Sequence, residues 1–276
     1  MSLVGRALRR FRELIPVWLL LTVLFPLLLM PLAAIFIFAG KGGFASFVAA
    51  ISGPSARFAL KFSLIMACST TLGNGILGTY AAYVLTKYRF KGREVISIII
   101  NLPVAIPTVV VGTSLLLLWG PIGLIGRYLY PLGLQPMFAP FGVFLAHIFV
   151  TFPYMLGAVK PVLEEQEAAY EEVAYTMGAS NWQTFRHVIF PALKNGLFTG
   201  GLLTFAHSLG EFGATMMVSG NLQMKTQTAP LYIFAQFEAG NIETANAVSA
   251  VLAVLSFLLF LFLIRFTKRK EAKGIQ

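Results

Sequence analysis

Six long apolar runs constrain the fold of this chain more than any other feature of its sequence. They lie near residues 16–39, 58–86, 95–119, 139–162, 193–219 and 243–265. An α-helix rises about 1.5 Å per residue, so each run is long enough to cross about 30 Å of hydrocarbon. The chain is 57% hydrophobic and only 12% charged, which a soluble domain of this length would not tolerate. The sequence therefore predicts an all-α integral membrane protein with six transmembrane helices, forming one transmembrane domain over residues 1–276.

The first apolar run follows the basic stretch RALRRFR, as the apolar region of a signal peptide would. It is too long for a cleaved signal peptide, and no site of small residues follows a shorter core. We therefore count residues 16–39 as a spanning helix.

Lysine and arginine residues predict the orientation of the chain in the membrane. With the amino terminus inside, 16 of the 21 basic residues fall on the inner side. The outer set is Lys41, Arg57, Lys61, Arg127 and Lys225. Because basic residues are retained on the cytoplasmic side, we expect a multi-pass protein of the cytoplasmic (inner) membrane with both termini in the cytoplasm. The charges form no continuous stripe, so the net charge of +10 does not indicate nucleic-acid binding.

The sequence lacks the residue patterns of several catalytic and metal-binding classes. Cys68 is the only cysteine, so there is neither an internal disulfide nor a set of thiolates for a metal. The sequence contains no phosphate-binding GxxxxGK[ST] loop, no HExxH and no GxSxG. We predict a protein that is not an enzyme and carries neither a metal nor a cofactor of its own.

The polar stretch around EEVAYTMGASNWQTFRHVIFP, residues 171–191, stands out between the fourth and fifth runs. Residues 164–177 are typical of a short amphipathic helix with five glutamates: Glu164, Glu165, Glu167, Glu171 and Glu172. Tyr170, Val173, Ala174 and Met177 share its apolar face. Gly178 would end that helix in a left-handed conformation, and Ser180 with Gln183 fits a capping box for a second short helix.

The second short helix is expected to present Trp182, Phe185, Val188 and Ile189 on one side. Pro191 would close it and occupy the first turn of the fifth span, where its missing N–H is harmless. Two short helices at a fixed angle form a rigid projection that a soluble partner can bind. An elbow lying on lipid headgroups is the alternative, but five glutamates would be repelled by an anionic leaflet.

The same stretch resembles the EAA loop (E-A-A-x3-G-x9-I-x-L-P) of the membrane subunits of ABC importers. Glu172-Val173-Ala174 precedes Gly178 by the required spacing, and Val188-Ile189-Phe190-Pro191 follows. The three departures, at Val173, Val188 and Phe190, replace one apolar residue with another. The resemblance implies a type I importer permease fold, with residues 58–265 as its core and residues 16–39 as an extra span.

The resemblance also implies that this loop is a coupling helix docked on a separate ATP-binding cassette subunit, one for each of two membrane subunits. ATP and magnesium would then be bound by those partners. The implied docking residues are Glu171, Glu172, Ala174, Gly178, Ala179, Trp182, Phe185 and Pro191.

Two further stretches, LPVAIPTVVVG (102–112) and FAHSLGEFGATMMVSGN (205–221), are similar to permeases for tetrahedral oxyanions. GNLQMKTQTAPLYIF (220–234) and the extra span favour the sulfate/thiosulfate T-type family, whereas FAHSLGEFGAT is shared with molybdate/tungstate permeases. The first family implies a related second permease chain, and the second implies another copy of this chain. Both imply an external oxyanion-binding protein.

Residues near the ends of spans three and five are candidates for an external gate in the translocation path. They are His207, Ser208, Gly210, Glu211 and Gly213 in span five, with Pro103, Pro107 and Thr108 in span three. His207 and Glu211 are four residues apart, so we expect them to pair with each other or Glu211 to accept hydrogen bonds from the backbone. A glutamate repels a dianion, so Glu211 is not predicted to coordinate substrate. A helix-packing motif with an interfacial glutamate is the alternative.

His147 in span four is expected to be a packed, hydrogen-bonded histidine and not a ligand.

An ATP-independent secondary transporter is the alternative from a different class of function. That class requires ionisable groups at the membrane midplane and a repeat, and the sequence displays neither.

Overall fold

A computed structural model describes residues 16–165 and 168–271. Every regular element in these two ranges is helical. The helices are α1 (Pro16–Gly40), α2 (Gly43–Ser52), α3 (Pro54–Lys87), α4 (Arg93–Ala105), α5 (Thr108–Trp119), α6 (Gly126–Leu129), α7 (Pro140–Glu165), α8 (Ala168–Thr176), α9 (Asn181–Leu209), α10 (Gly213–Ser219), α11 (Ala229–Glu238) and α12 (Ile242–Glu271). The all-α fold class is confirmed.

The predicted spans are confirmed by length and composition. Helices α1, α3, α7, α9 and α12 are each long and apolar enough to cross a membrane, and α4 with α5 makes a sixth span if the bent pair is counted as one. The described ranges leave out the basic residues of the amino-terminal stretch and Lys273, together with Glu167 of the acidic loop.

The third span is broken, although one run over 95–119 was expected. Helices α4 and α5 meet at an angle of 114°. Ile106 between them is extended (φ −94°, ψ 135°), because the ring of Pro107 disfavours a helical conformation in the residue before it. Pro107 itself lacks an N–H and stands immediately before the first turn of α5. The proline that breaks one helix therefore starts the next.

The fifth span differs from the prediction at both ends. It begins at Asn181, not near residue 193, and it ends at Leu209, after which Gly210–Phe212 separate it from α10. The predicted second short helix is therefore not separate from the fifth span, although Pro191 does lie in the first turn of its α-helical stretch Phe190–Leu209, as expected. A π-helical turn at Phe185–Ile189 precedes the proline, with the Phe190 N–H donating to the Phe185 carbonyl. Such a turn offers room for a proline ring inside a continuous helix.

Helices α3, α7 and α9 form the centre of the bundle. Small residues allow their backbones to approach closely: a Cβ atom at Gly196 would lie 2.8 Å from the Ala158 carbonyl oxygen, and one at Gly200 would lie 2.8 Å from the Met155 sulfur. Close packing at small residues is expected for transmembrane helices, because the hydrophobic effect does not drive helices to associate within lipid. A second cluster joins α5, α7 and α10. Helix α1 lies at the periphery, packed against α12.

Candidate functional site

The residues predicted to dock on a partner lie within 164–191, which we call the docking segment. It runs from the last residues of α7 through α8 into the start of α9. Gly178 has a φ of +83°, which is the left-handed conformation expected where α8 ends. The Gln183 N–H donates to the Ser180 hydroxyl (3.3 Å), and the Ser180 N–H donates to the Gln183 side-chain oxygen (2.7 Å). The predicted capping box is thus confirmed, and it fixes the angle at which α9 leaves the segment.

Apolar side chains of the docking segment point away from the rest of the protein. Met177 is 82% exposed, Trp182 is 66% exposed, and Tyr170 and Val173 are also exposed. The Trp182 ring stacks on Phe185, with centroids 5.7 Å apart. An exposed apolar surface of this kind marks a site of interaction with another molecule.

The acids of the docking segment do not all point outward. The Lys87 Nζ donates to the Glu171 Oε1 at a distance of 2.5 Å, and only 21% and 13% of the two side chains are exposed. Glu171 thus ties α8 to the end of α3. Glu172, the next residue, is exposed. The sequence grouped these two neighbours as docking acids, yet the structure places only Glu172 on the outer surface.

Three of the other predicted docking residues line a hollow of about 370 Å³ between α8 and the start of α9. Ala174, Gly178 and Ala179 line it, together with Gln183 and His187. Phe185 packs partly against the α3–α7–α9 core, and Pro191 lies inside α9. The predicted docking residues therefore divide into an exposed set and a set that supports it.

The two broken spans meet at one place, which we call the junction. It comprises Thr108 at the start of α5, Glu211 in the break of the fifth span and Gly213 at the start of α10. The Glu211 carboxylate accepts from the Ala214 N–H at 2.8 Å, and it also accepts from the Gly213 N–H and the Thr108 hydroxyl. Its side chain is buried, with 7% exposure. One carboxylate thus caps α10 and holds the first residue of α5.

Close approach of α5 and α10 at the junction depends on glycine. A Cβ atom at Gly213 would overlap the Thr108 hydroxyl and lie 3.0 Å from the Val109 nitrogen. A Cβ atom at Gly112 would lie 2.7 Å from the Ala214 carbonyl oxygen. Both glycines therefore allow the two helices to approach closely. Gly210 lies in the break, where a Cβ would meet only the Ala206 oxygen at 3.8 Å.

His207 does not pair with Glu211, and that part of the sequence interpretation is wrong. The His207 ring stacks on Tyr154, with centroids 3.8 Å apart. Because α9 ends at Leu209, the spacing of four residues no longer places the two side chains on one helix face. The other alternative, that Glu211 accepts hydrogen bonds from the backbone, is confirmed.

A buried histidine supports the junction from α7. The two ring nitrogens of His147 lie 2.7 Å from the Ser208 hydroxyl and 2.8 Å from the Thr215 hydroxyl. His147 is 1% exposed, so its expected role as a packed, hydrogen-bonded residue is confirmed. It joins the end of α9 to α10 across the break. Sequence reasoning did not find Thr215, because no local pattern links residues 68 positions apart.

The remaining gate candidates lie on the broken third span. Pro103 is buried inside α4, and Pro107 is the residue before α5. No group of three His, Cys, Asp or Glu side chains that could hold a metal occurs within residues 16–165 and 168–271. The structure therefore brings together Thr108, Glu211 and Gly213, places Ser208 beside His147, and leaves His207 with Tyr154.

Comparison with known proteins decides the family. The family model described as "Binding-protein-dependent transport system inner membrane component" matches residues 74–271. The chain belongs to this family. Its members are membrane subunits of transport systems that depend on a binding protein, so this chain is a multi-pass membrane permease subunit.

Two relatives share much of the permease sequence. The sulfate transport system permease protein CysT of Escherichia coli (strain K12) is 35% identical over 224 residues, 81% of each chain. The protein of the same name from Synechocystis sp. (strain ATCC 27184 / PCC 6803 / Kazusa) is 33% identical over 224 residues, which cover 81% of this chain and 78% of that one.

Solved structures confirm the fold of the permease. A bacterial ABC transporter involved in the import of the acidic polysaccharide alginate matches with a TM-score of 0.73 at 19% identity, covering 95% of this chain and 99% of that chain. A second structure, of the alginate transporter in complex with an alginate pentasaccharide-bound periplasmic protein, matches with a TM-score of 0.72 at 18% identity, over 96% of each chain.

The close contact at the junction predicts the effect of a substitution at Gly213. Gly213→Ala should destabilise the permease by about 1–3 kcal/mol, because α5 must move away from α10 to admit the methyl group. Thermal unfolding in detergent measures this change. Gly210→Ala is the matched control, since its methyl group has space. Equal melting temperatures for the two variants would contradict the close approach of the two helices.

Proposed function

We propose that this permease is a membrane subunit of an ATP-driven importer for sulfate or thiosulfate. The observation that carries the proposal is its 33–35% identity, over about four-fifths of the chain, to relatives named as sulfate transport system permeases. The family assignment supports import that depends on a binding protein, and it argues against a self-contained secondary transporter.

ATP hydrolysis belongs, in this proposal, to two separate ATP-binding cassette subunits that bind ATP with magnesium. The exposed apolar surface at Met177 and Trp182 supports docking of such a subunit, because soluble surfaces rarely leave large apolar side chains together without a partner. Glu172 stands beside this surface and supplies a charge for the edge of the interface. The permease itself then binds no nucleotide and performs no catalysis.

The assembly that we propose contains a second permease subunit, which is a related chain in a sulfate importer, and an external oxyanion-binding protein. A periplasmic protein bound to the structurally similar alginate transporter supports the external partner. The distribution of basic residues supports a location in the cytoplasmic membrane with both termini inside. The docking segment then faces the cytoplasm, where the ATPases are.

The mechanism that we propose is alternating access, with the junction as the gate. ATP binding closes the two ATPases, the docking segment moves with them, and the bundle opens outward to receive the anion. Thr108, Glu211 and Gly213 join two half-helices through one carboxylate, so moving one half-helix must displace the other or break those bonds. Glu211 orders this gate and does not bind the anion, since like charges repel.

Uptake of labelled sulfate by cells that carry the permease, its ATPase and its receptor tests the proposed substrate. We expect receptor-dependent uptake that unlabelled thiosulfate inhibits strongly and molybdate inhibits weakly. Absence of sulfate uptake, with high-affinity uptake of molybdate or tungstate, would transfer the assignment to those anions. That result would also favour two copies of this chain as the membrane pair.

Truncation of the docking aromatic tests the proposed ATPase interface. Trp182→Ala should reduce the amount of ATPase that copurifies with the permease by about tenfold, because buried tryptophans dominate protein interfaces. The control is Phe141→Ala, which removes an exposed aromatic ring from α7, outside the docking segment. Normal copurification of the ATPase with the Trp182 variant would contradict docking at this surface.

Removal of the junction charge tests the proposed gate. Glu211→Gln should reduce uptake while leaving the affinity of the external receptor for its anion unchanged, because the amide holds the two half-helices less strongly. Uptake by Glu238→Gln, which removes an exposed glutamate from α11, should equal that of the wild type. A normal uptake rate for the Glu211 variant would rule out this role.

A further inference from the structure

A short basic connection, residues 87–93 (KYRFKGR), joins α3 to α4 beside the docking segment. It is linked to that segment at both ends. Lys87, the last residue of α3, pairs with Glu171 of α8. Arg93, the first residue of α4, lies 3.8 Å from the carboxylate of Glu164 near the end of α7.

The Lys87–Glu171 pair is the stronger of the two links. Its charged atoms are 2.5 Å apart, and most of both side chains is withdrawn from water. Ion pairs that solvent reaches contribute little because water and salt screen them, whereas partial burial strengthens the attraction. The pair also joins elements that are 84 residues apart in sequence, so it constrains their relative position directly.

The Arg93–Glu164 link is weaker. Glu164 is 46% exposed and shares its carboxylate between Arg93 and Lys160, which lies 3.6 Å away on the same helix. Neither distance is that of a hydrogen bond. This link therefore adds support to the first one and cannot replace it.

These ion pairs connect the docking segment to α4, which the backbone does not connect to it directly. Through the backbone, the segment is attached only to α7 and α9. Through Lys87 and Arg93 it is also attached to both ends of the basic connection, and α4 extends from there to the break before Thr108. Helix α4 has 13 residues. It therefore spans roughly 20 Å, and only Ile106 and Pro107 separate it from the junction.

We propose that the Lys87–Glu171 pair, assisted by Arg93 and Glu164, is a positioning device that transmits displacement of the docking segment to α4 and so to the junction. The inference rests on the proposed function, in which a bound ATPase moves that segment. Glu171 then acts through contact with this chain's own lysine, and not through contact with the ATPase.

Charge removal and charge exchange in the assembled transporter test this inference. Lys87→Met and Glu171→Gln should each lower sulfate uptake per ATP hydrolysed by about fivefold, the small end of the usual range for coupling between sites. The exchange Lys87→Glu with Glu171→Lys should restore most of the loss. Lys91→Met is the matched control, because Lys91 is an exposed residue of the same connection and forms no ion pair with the described residues. Its uptake per ATP should equal that of the wild type.

Two results would overturn the proposal. One is uptake per ATP for Lys87→Met equal to that for Lys91→Met. The other is failure of the charge exchange to restore uptake in transporters that assemble with normal amounts of ATPase.

A distance measurement separates this inference from the assignment of the substrate. Spin labels at Leu72 of α3 and Ile98 of α4, both exposed, are introduced as cysteines in a Cys68→Ser background. ATP binding should change the distance between the labels, and Lys87→Met should abolish that change. An unaltered change in the Lys87 variant would refute the positioning role. Lack of sulfate uptake by the wild type would refute only the proposed substrate.

Discussion

Hydrocarbon offers no partner for a backbone N–H or carbonyl group, and the rest of this structure depends on how that constraint is met. A continuous helix meets it by itself, and α1, α3, α7 and α12 do so. The third and fifth spans are interrupted, and their interruptions lie side by side. The Glu211 carboxylate accepts from the Gly213 and Ala214 N–H groups and from the Thr108 hydroxyl. The two breaks are thus stabilised by each other.

The two breaks are also packed closely against each other. Because Gly213 admits no side chain between α10 and α5, the two half-helices are packed as well as hydrogen-bonded. His147 adds a buried link from α7 to Ser208 and Thr215 on either side of the break in the fifth span. In the proposed gate, these contacts couple the movement of the two half-helices.

Acidic residues of the docking segment serve two different purposes. Glu171 is held by Lys87, whereas Glu172 is exposed next to a surface of apolar side chains. The outward side of α8 therefore carries the apolar side chains of Tyr170 and Val173 together with the charge of Glu172. Exposed apolar groups of this kind suit a segment that another protein covers, while Glu171 fixes the segment on its own bundle.

The sequence alone determined the fold class, the six spans, the end of α8 at Gly178 and the capping box at Ser180, because these follow from local composition and spacing. It did not locate the interruptions of the third and fifth spans, nor the angle of 114° between α4 and α5. Only the tertiary structure decided which polar groups meet. His207 stacks on Tyr154 and does not pair with Glu211, because the helix ends at Leu209 and the spacing rule of a continuous helix no longer applies. Glu211 meets Thr108, and Lys87 meets Glu171, because separate helices pack together at those places. Contacts between residues far apart in sequence leave no local pattern, so packing alone assigned them.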